Sequence, residues 1–356
     1  MRSIKQIKNL KGRNVLLRVD FNVPIKNGKV EDNFRIIKAL PTIEFLQKKG
    51  AKLILITHLG KGGETLLPVA KSLNKFIKVK FIPEVVGREV TKIVKQMKNG
   101  EVVLLQNLRN NQGEQKCDKN FAKELAKLGN IYVNECFSVD HREDASIILL
   151  PKLIPAYAGF QLEKEVKNLS YAFKSPKHPF LFILGGAKFS TKMPLIKKYL
   201  KLADYVFIGG ALANNFLKAK GYDMGKSLID NTNYDITKLL KNKKLILPTD
   251  FIIKDGAIID IGEKTIKNLE EVIKQSKFIL WNGPLGKYEN GGAEGTKKIL
   301  KFLAQSKIKS IIGGGDTVAI ISLMKLEKKF SFVSTGGGAT LDFLANGTLP
   351  GIKALK

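Results

Sequence analysis

Ser334-Thr335-Gly336-Gly337-Gly338-Ala339-Thr340 follows an apolar run at 330–333 and precedes a helical pattern. Consecutive glycines at such a strand-to-helix corner permit φ > 0 and let a ligand approach the main chain, while the first N–H groups of the helix have no intrahelical partner. A corner of this kind attracts anions, phosphate above all. Two other stretches repeat the layout. An apolar run at 180–184 leads into Gly185-Gly186-Ala187-Lys188-Phe189-Ser190-Thr191-Lys192, and one at 310–312 leads into Gly313-Gly314-Gly315-Asp316-Thr317. Loops at the carboxyl ends of parallel strands converge on one crevice. The second half of the chain therefore reads as a phosphate-handling site built from several corners.

The 356 residues exceed one ordinary core and imply two domains, and the repeated strand-then-helix alternation makes the fold α/β with mainly parallel sheets covered by helices. Strands of the second domain are expected at 180–184, 205–208, 244–247, 278–281, 310–312 and 330–333. The alternation breaks near Pro151 to Pro155. A helix at 161–173, with Glu163 and Glu165 early and Lys167 and Lys174 late as its dipole prefers, is expected to join the domains. The first domain is thus placed at 1–155 and the second at 156–345, beginning with that hinge helix.

In the first domain, strands expected at 14–19, 52–56, 102–105 and 131–133 each deliver polar or basic residues at the carboxyl end. These are Asp20 and Asn22, then His58 and Lys61, then Arg109, then His141 and Arg142. Arg35 opens the helical pattern at 33–49, an end of the dipole that prefers acids and tolerates arginine where an anion is served. Arg35, His58, Lys61, Arg109, His141 and Arg142 are expected to form one basic patch, suited to a small acid carrying phosphate and carboxylate.

The balance of 61 Lys+Arg against 32 Asp+Glu gives a net charge of +29. It is spread over helical patterns, as at Lys197, Lys198 and Lys201 or Lys241, Lys243 and Lys244, so it reads as a solvated basic surface that steers small polyanions, with no specific nucleic-acid partner. Met1 to Lys5 lacks a following apolar stretch, and no uncharged run is long enough to cross a bilayer; a cytoplasmic protein without a membrane partner is expected. Two cysteines, Cys117 and Cys136, argue against a disulfide framework or a cysteine-rich zinc site.

Gly221 to Ser227 approaches a P-loop but is one residue short between its glycines and follows a helical pattern; no GxGxxG opens a helix after a strand, so a dinucleotide-dependent oxidoreductase lacks its fingerprint. Lys188 and Lys192, four apart at a helix start, share one face. Asp316 is either a helix cap or, beside phosphate, the carboxylate that Mg²⁺ needs. In Trp281-Asn282-Gly283-Pro284-Leu285-Gly286-Lys287-Tyr288-Glu289, the last residue offers an acceptor to a ribose.

Taken with Arg18-Val19-Asp20-Phe21-Asn22-Val23-Pro24 and Thr57-His58-Leu59-Gly60, these stretches resemble the phosphoglycerate kinase family in its chain order, nearly end to end. The resemblance implies two Rossmann-like domains hinged by a helix, with 346–356 returning to the first. It implies reversible, Mg²⁺-dependent phosphoryl transfer between 1,3-bisphosphoglycerate and ADP, giving 3-phosphoglycerate and ATP, in glycolysis and gluconeogenesis, by a monomer. It places Asp20, Asn22, Arg35, His58, Lys61, Arg109 and Arg142 on phosphoglycerate. It places Gly185, Gly186, Lys188, Lys192, Gly209, Gly210, Asn282, Pro284, Glu289, Gly314, Gly315, Asp316 and Thr317 on the nucleotide, with Asp316 also on the metal. Arg35, Lys192 and Gly336 to Gly338 would act on the transferring group. The chain departs from the family pattern at Lys61-Gly62, where Arg-Pro is usual, and at Glu143-Asp144, where Ala-His is frequent. Asn110, Glu135, Thr191 and Asp342 are further departures.

Overall fold

Asn14–Arg18 (β1) carries Val, Leu and Leu in succession with no polar residue between them, the pattern of a strand covered on both faces. In the computed structural model, which describes residues 1–230, 236–290 and 292–355, it is central to a sheet. A hairpin, Ile25–Lys26 (β2) and Lys29–Val30 (β3), turns at Asn27-Gly28, both with positive φ. Then come Lys52–Ile56 (β4), Lys80–Phe81 (β5), Val102–Leu104 (β6), Ile131–Asn134 (β7) and Ala156–Ala158 (β8). They form a six-stranded sheet ordered β5-β6-β4-β1-β7-β8, with every pairing parallel. Arg18 is opposite both Ile56 and Asn134, so the carboxyl ends of β1, β4 and β7 are level.

A second sheet of six parallel strands uses Phe180–Leu184 (β9), Tyr205–Ile208 (β10) and Leu245–Ile246 (β11), followed after a separate hairpin, Phe251–Lys254 (β12) with Ala257–Ile261 (β13), by Phe278–Asn282 (β14), Lys309–Gly313 (β15) and Phe332–Val333 (β16). The order is β11-β10-β9-β14-β15-β16. Leu184 pairs with Asn282, and Asn282 with Gly313, which sets three glycine corners side by side at one sheet edge. Its core is aromatic: Phe180 and Phe278 lie 4.8 Å apart, Phe182 and Tyr199 4.2 Å, and Trp281 is fully buried.

Two compact units result: residues 1–167 with 348–355, and residues 168–347. The helix Phe160–Lys174 begins in the first and ends in the second. Four strands are shorter than expected, β1 and β6 by one residue and β11 and β16 by two, and the elements β2–β3, β5, β8 and β12–β13 lie where no strand was expected. β5 has only two residues, one of them Lys80, and β8 is Ala-Tyr-Ala straight after Pro155; neither carries a run of β-branched or large aliphatic residues. The β12–β13 hairpin did have a signal, Asp255-Gly256, whose positive φ values of 53° and 77° make the turn.

Candidate active site

In the first unit the site grows from the ends of β1 and β4. Arg18 closes β1 with no exposed surface, donating from Nε to the Ser146 hydroxyl at 3.0 Å and from Nη2 toward His58 Nδ1 at 3.3 Å, with Glu114 3.7 Å away. An arginine only donates, so Nδ1 accepts. Burial pushes the His58 ring well below its usual pKa, and the charges of Arg18, Arg109, Arg142 and Arg35 push it further. A neutral imidazole in the field of four arginines is the result. Arg35, in the first turn of the helix Phe34–Lys48, donates to Asp20 Oδ1 at 2.8 Å, while Asp20 Oδ2 is buried without a hydrogen-bond partner. Asn22 Oδ1 accepts from the Gly60 N–H at 3.0 Å and Arg109 Nη1 donates to the Gly60 carbonyl at 2.5 Å, which ties the loops after β1, β4 and β6 together. Burial and Arg142 depress the Arg109 pKa. Lys61 and Arg142 are exposed.

The sequence patch is thus gathered in space at Arg35, His58, Arg109 and Arg142, with Asp20 and Asn22 at its edge. Arg18 and its counter-ion Glu114 were not among the expected residues. Arg18 had a signal, a lone charge ending an apolar strand; Glu114, in a polar stretch, had none.

In the second unit the corners pack backbone on backbone. A Cβ at Gly185 would meet the Pro284 carbonyl oxygen at 2.0 Å, and one at Gly283 the Gly185 oxygen at 2.4 Å. One at Gly210 would meet the Gly186 nitrogen at 2.8 Å. Gly209 lies against Leu285, and Gly314 against Gly283. Lys192 is buried in the helix Phe189–Leu202, donating to the Gly185 carbonyl at 2.6 Å. Burial brings its pKa down to about 8; the Asp316 carboxylate opposes this and Lys188 adds to it. A cavity of about 480 Å³ opens beside these corners, lined by Gly186, Gly210, Glu289 and Asp316 at glycine and acidic positions, and by Pro284, Leu228, Phe251 and Ile259 on its apolar side. It is large enough for a nucleotide, with an apolar wall for a base and one carboxylate toward the lysines.

Other expected residues do not line this cavity. Lys188 is exposed at the helix start, and Asn282 Nδ2 and Thr317 Oγ1 are buried at the corners without a hydrogen-bond partner. Gly315 and Gly338 face open space, and Gly337 has φ +53°, where glycine is needed. The Gly336 N–H donates to the Ser334 hydroxyl at 3.1 Å. Lys226, from the stretch that fails as a P-loop, lines the cavity after all. Asp316 is a hard oxygen donor at the cavity wall, a donor set that suits Mg²⁺ completed by phosphate oxygens. Among the described residues there is no group of three His, Cys, Asp or Glu able to hold a metal by itself.

Parallel sheets with phosphate-type corners in one unit and an arginine cluster in the other define an α/β phosphotransferase. The phosphoglycerate kinase family model matches residues 4–347. Curated relatives named phosphoglycerate kinase include those of Borrelia garinii, 40% identical with 100% of this chain and 99% of the relative covered, and Pseudothermotoga lettingae, 43% identical with 99% and 98% covered. Among solved structures, phosphoglycerate kinase from Coxiella burnetii superposes with a TM-score of 0.84 at 35% identity, covering 99% of this chain and 98% of that one. The Pyrococcus horikoshii enzyme gives 0.86 at 31% identity, covering 100% and 98%. The chain belongs to the phosphoglycerate kinase family and is a phosphotransferase.

Proposed function

We propose that the chain catalyses reversible phosphoryl transfer between the acyl phosphate of 1,3-bisphosphoglycerate and ADP, with the acid held by the first unit and the nucleotide by the second. The observation that carries this reading is the gathering of guanidinium groups at the ends of β1, β4 and β6, with Arg18 3.3 Å from His58 Nδ1, Arg35 held by Asp20 and Arg109 held by the Gly60 carbonyl. A glycine corner with a lysine suits many nucleotides, whereas several guanidinium groups gathered at one point suit a small, multiply anionic acid. Asp20, Asn22, Arg35, His58, Lys61, Arg109 and Arg142 are assigned to the acid. The nucleotide takes Gly185, Gly186, Lys188, Lys192, Gly209, Gly210, Asn282, Pro284, Glu289 and Gly314 to Thr317. Mg²⁺, held at Asp316 and by phosphate oxygens, would supply positive charge to the β and γ phosphates. The protein acts in the cytoplasm as a monomer; among the described residues no helix is long and apolar enough to cross a membrane.

Phosphoryl transfer asks the protein for position and for stabilisation of charge on the equatorial oxygens. Arg35 supplies a guanidinium from the acid's side, and Lys192 with the N–H groups of Gly336 to Gly338 supplies donors from the nucleotide's side. Arg35 is oriented by Asp20, and Lys192 by the Gly185 carbonyl, so both are held before substrate arrives. A coupled assay with ATP, magnesium and 3-phosphoglycerate tests the reading. Turnover by the wild type is expected, with loss of at least about a hundredfold in Lys192→Ala and in Arg35→Ala, the latter keeping its nucleotide affinity. Equal loss of nucleotide binding and turnover in Arg35→Ala would remove Arg35 from the transfer step.

A further inference from the structure

Asp144 stands at the N-cap position of the short helix Ala145–Ile148, where an aspartate ordinarily accepts from the first N–H groups. Its side chain makes no such bond. That role falls to Glu114, which accepts from the Ser146 N–H at 2.9 Å and from the Ser146 hydroxyl at 2.5 Å. Asp144 is 6% exposed and Arg109 8%, and Asp144 Oδ2 lies 3.8 Å from Arg109 Nη2. This is an ion pair too long for a hydrogen bond. Asp144 Oδ2, Arg109 Nη2 and Arg109 Nε are all buried without a hydrogen-bond partner. The Nε and Nη2 groups form an edge of the guanidinium that grips an oxyanion with two parallel bonds, while Nη1 is engaged by the Gly60 carbonyl. The gripping edge of Arg109 is therefore unpartnered inside the protein, with a carboxylate of the chain itself standing beside it.

We propose that Asp144 is a resident counter-ion of Arg109 that sets the affinity and charge preference of the acid site. An oxyanion that reaches the unpartnered edge of Arg109 must overcome its burial and bind against the field of Asp144, so the site holds its acid loosely and penalises the more highly charged of two acids. In the empty protein the same carboxylate offsets the mutual repulsion of Arg109, Arg142 and Arg18. Asp144 is a positioning and specificity residue that touches no reacting atom. The inference rests on the assignment of Arg109 to the acid.

The test is calorimetric binding of 3-phosphoglycerate to the full-length wild type, Asp144→Asn and Asp144→Ser at about 0.05 and about 0.3 M salt, with steady-state kinetics alongside. Both variants are expected to bind the acid about tenfold more tightly, by an advantage that hardly changes between the two salt concentrations because Asp144 and Arg109 are buried. The KM for 3-phosphoglycerate falls with it, the KM for ATP is unmoved, and kcat does not rise. Asp144→Ser carries the test if Asp144→Asn does not fold. A purely structural aspartate would shift the melting temperature and both KM values together; unchanged or weaker acid binding in either folded variant overturns the proposal. A wild type that binds 3-phosphoglycerate without turning it over refutes the functional reading and leaves the counter-ion test intact. No binding by wild type or variants refutes both.

Discussion

At the scale of single residues, Lys192 carries the sharpest consequence. Its ammonium is buried against the Gly185 carbonyl, and burial brings its pKa from 10.5 down to about 8, Asp316 opposing and Lys188 adding to the depression. Below about pH 8 the side chain is charged and attracts phosphate; above it the side chain is neutral and does not. The kcat/KM for ATP, which reports the free enzyme, is therefore expected to fall above about pH 8, and a profile flat to about pH 9.5 would show that Lys192 does not serve the nucleotide in its charged form. The sign for stability is the reverse. The unfolded chain holds this proton up to about 10.5, so folding is favoured more as pH rises between the two values. Sequence could name Lys192 from its spacing to Lys188 but not this shift, since nothing in Lys-Phe-Ser-Thr-Lys says that the second lysine is buried and the first exposed. Arg18 escaped for a related reason. A charge at a strand's end is as easily solvated as buried, and only the distant partners Glu114 and Ser146 decide which.

At the scale of elements, the corners separate glycines hemmed in by backbone from glycines with open space above them. Gly185 and Gly283 are pressed against each other's backbone, so a methyl group there has no place to go. Gly338 opens the helix Gly338–Asn346, and a Cβ built on it meets nothing within 4 Å. Gly338→Ala should leave stability unchanged or raised, by up to about 1 kcal/mol of added helix propensity, while lowering turnover at least about tenfold by filling the space proposed for the transferring phosphoryl group. A variant that is both stable and fully active would mean that no ligand comes close to that corner. The strand-glycine-helix layout of these corners was legible because each follows an apolar run too short for a helix. The edge strands β5 and β8 were not, because their pairing is set by β6 and β7 and not by their own residues. The Glu135 side chain was legible only as a departure. In the structure it accepts from the Gln161 and Leu162 N–H groups at the start of the helix Phe160–Lys174 and from the Thr42 hydroxyl, while burial pushes it up to about 7.

At the scale of the whole molecule, the net charge of +29 acts on stability and on function with opposite signs. Like charges repel more strongly in the compact state than in the unfolded chain, so the excess destabilises the fold, while the same field draws anionic substrates inward. The ion pairs at the surface, such as Lys127 with Glu124, Lys274 with Glu271 and Lys297 with Glu294, are solvent-exposed, which makes each weak, and 61 cations face 32 acids. Screening should therefore relieve more repulsion than it removes attraction. Raising potassium chloride from about 0.01 to about 0.15 M shortens the Debye length from about 30 to about 8 Å. Over that range the urea midpoint of the ligand-free protein is expected to rise, and the KM values for 3-phosphoglycerate and ATP to rise as well, because steering toward the arginine cluster and the lysine corner is lost. A midpoint that falls with salt would mean that the cations are already paired and that the charge is not a solvated excess. A rising midpoint with unchanged KM would confine attraction to contacts inside the two sites, where screening hardly reaches, and would make Arg109 and Lys192, rather than the surrounding lysines, the source of affinity.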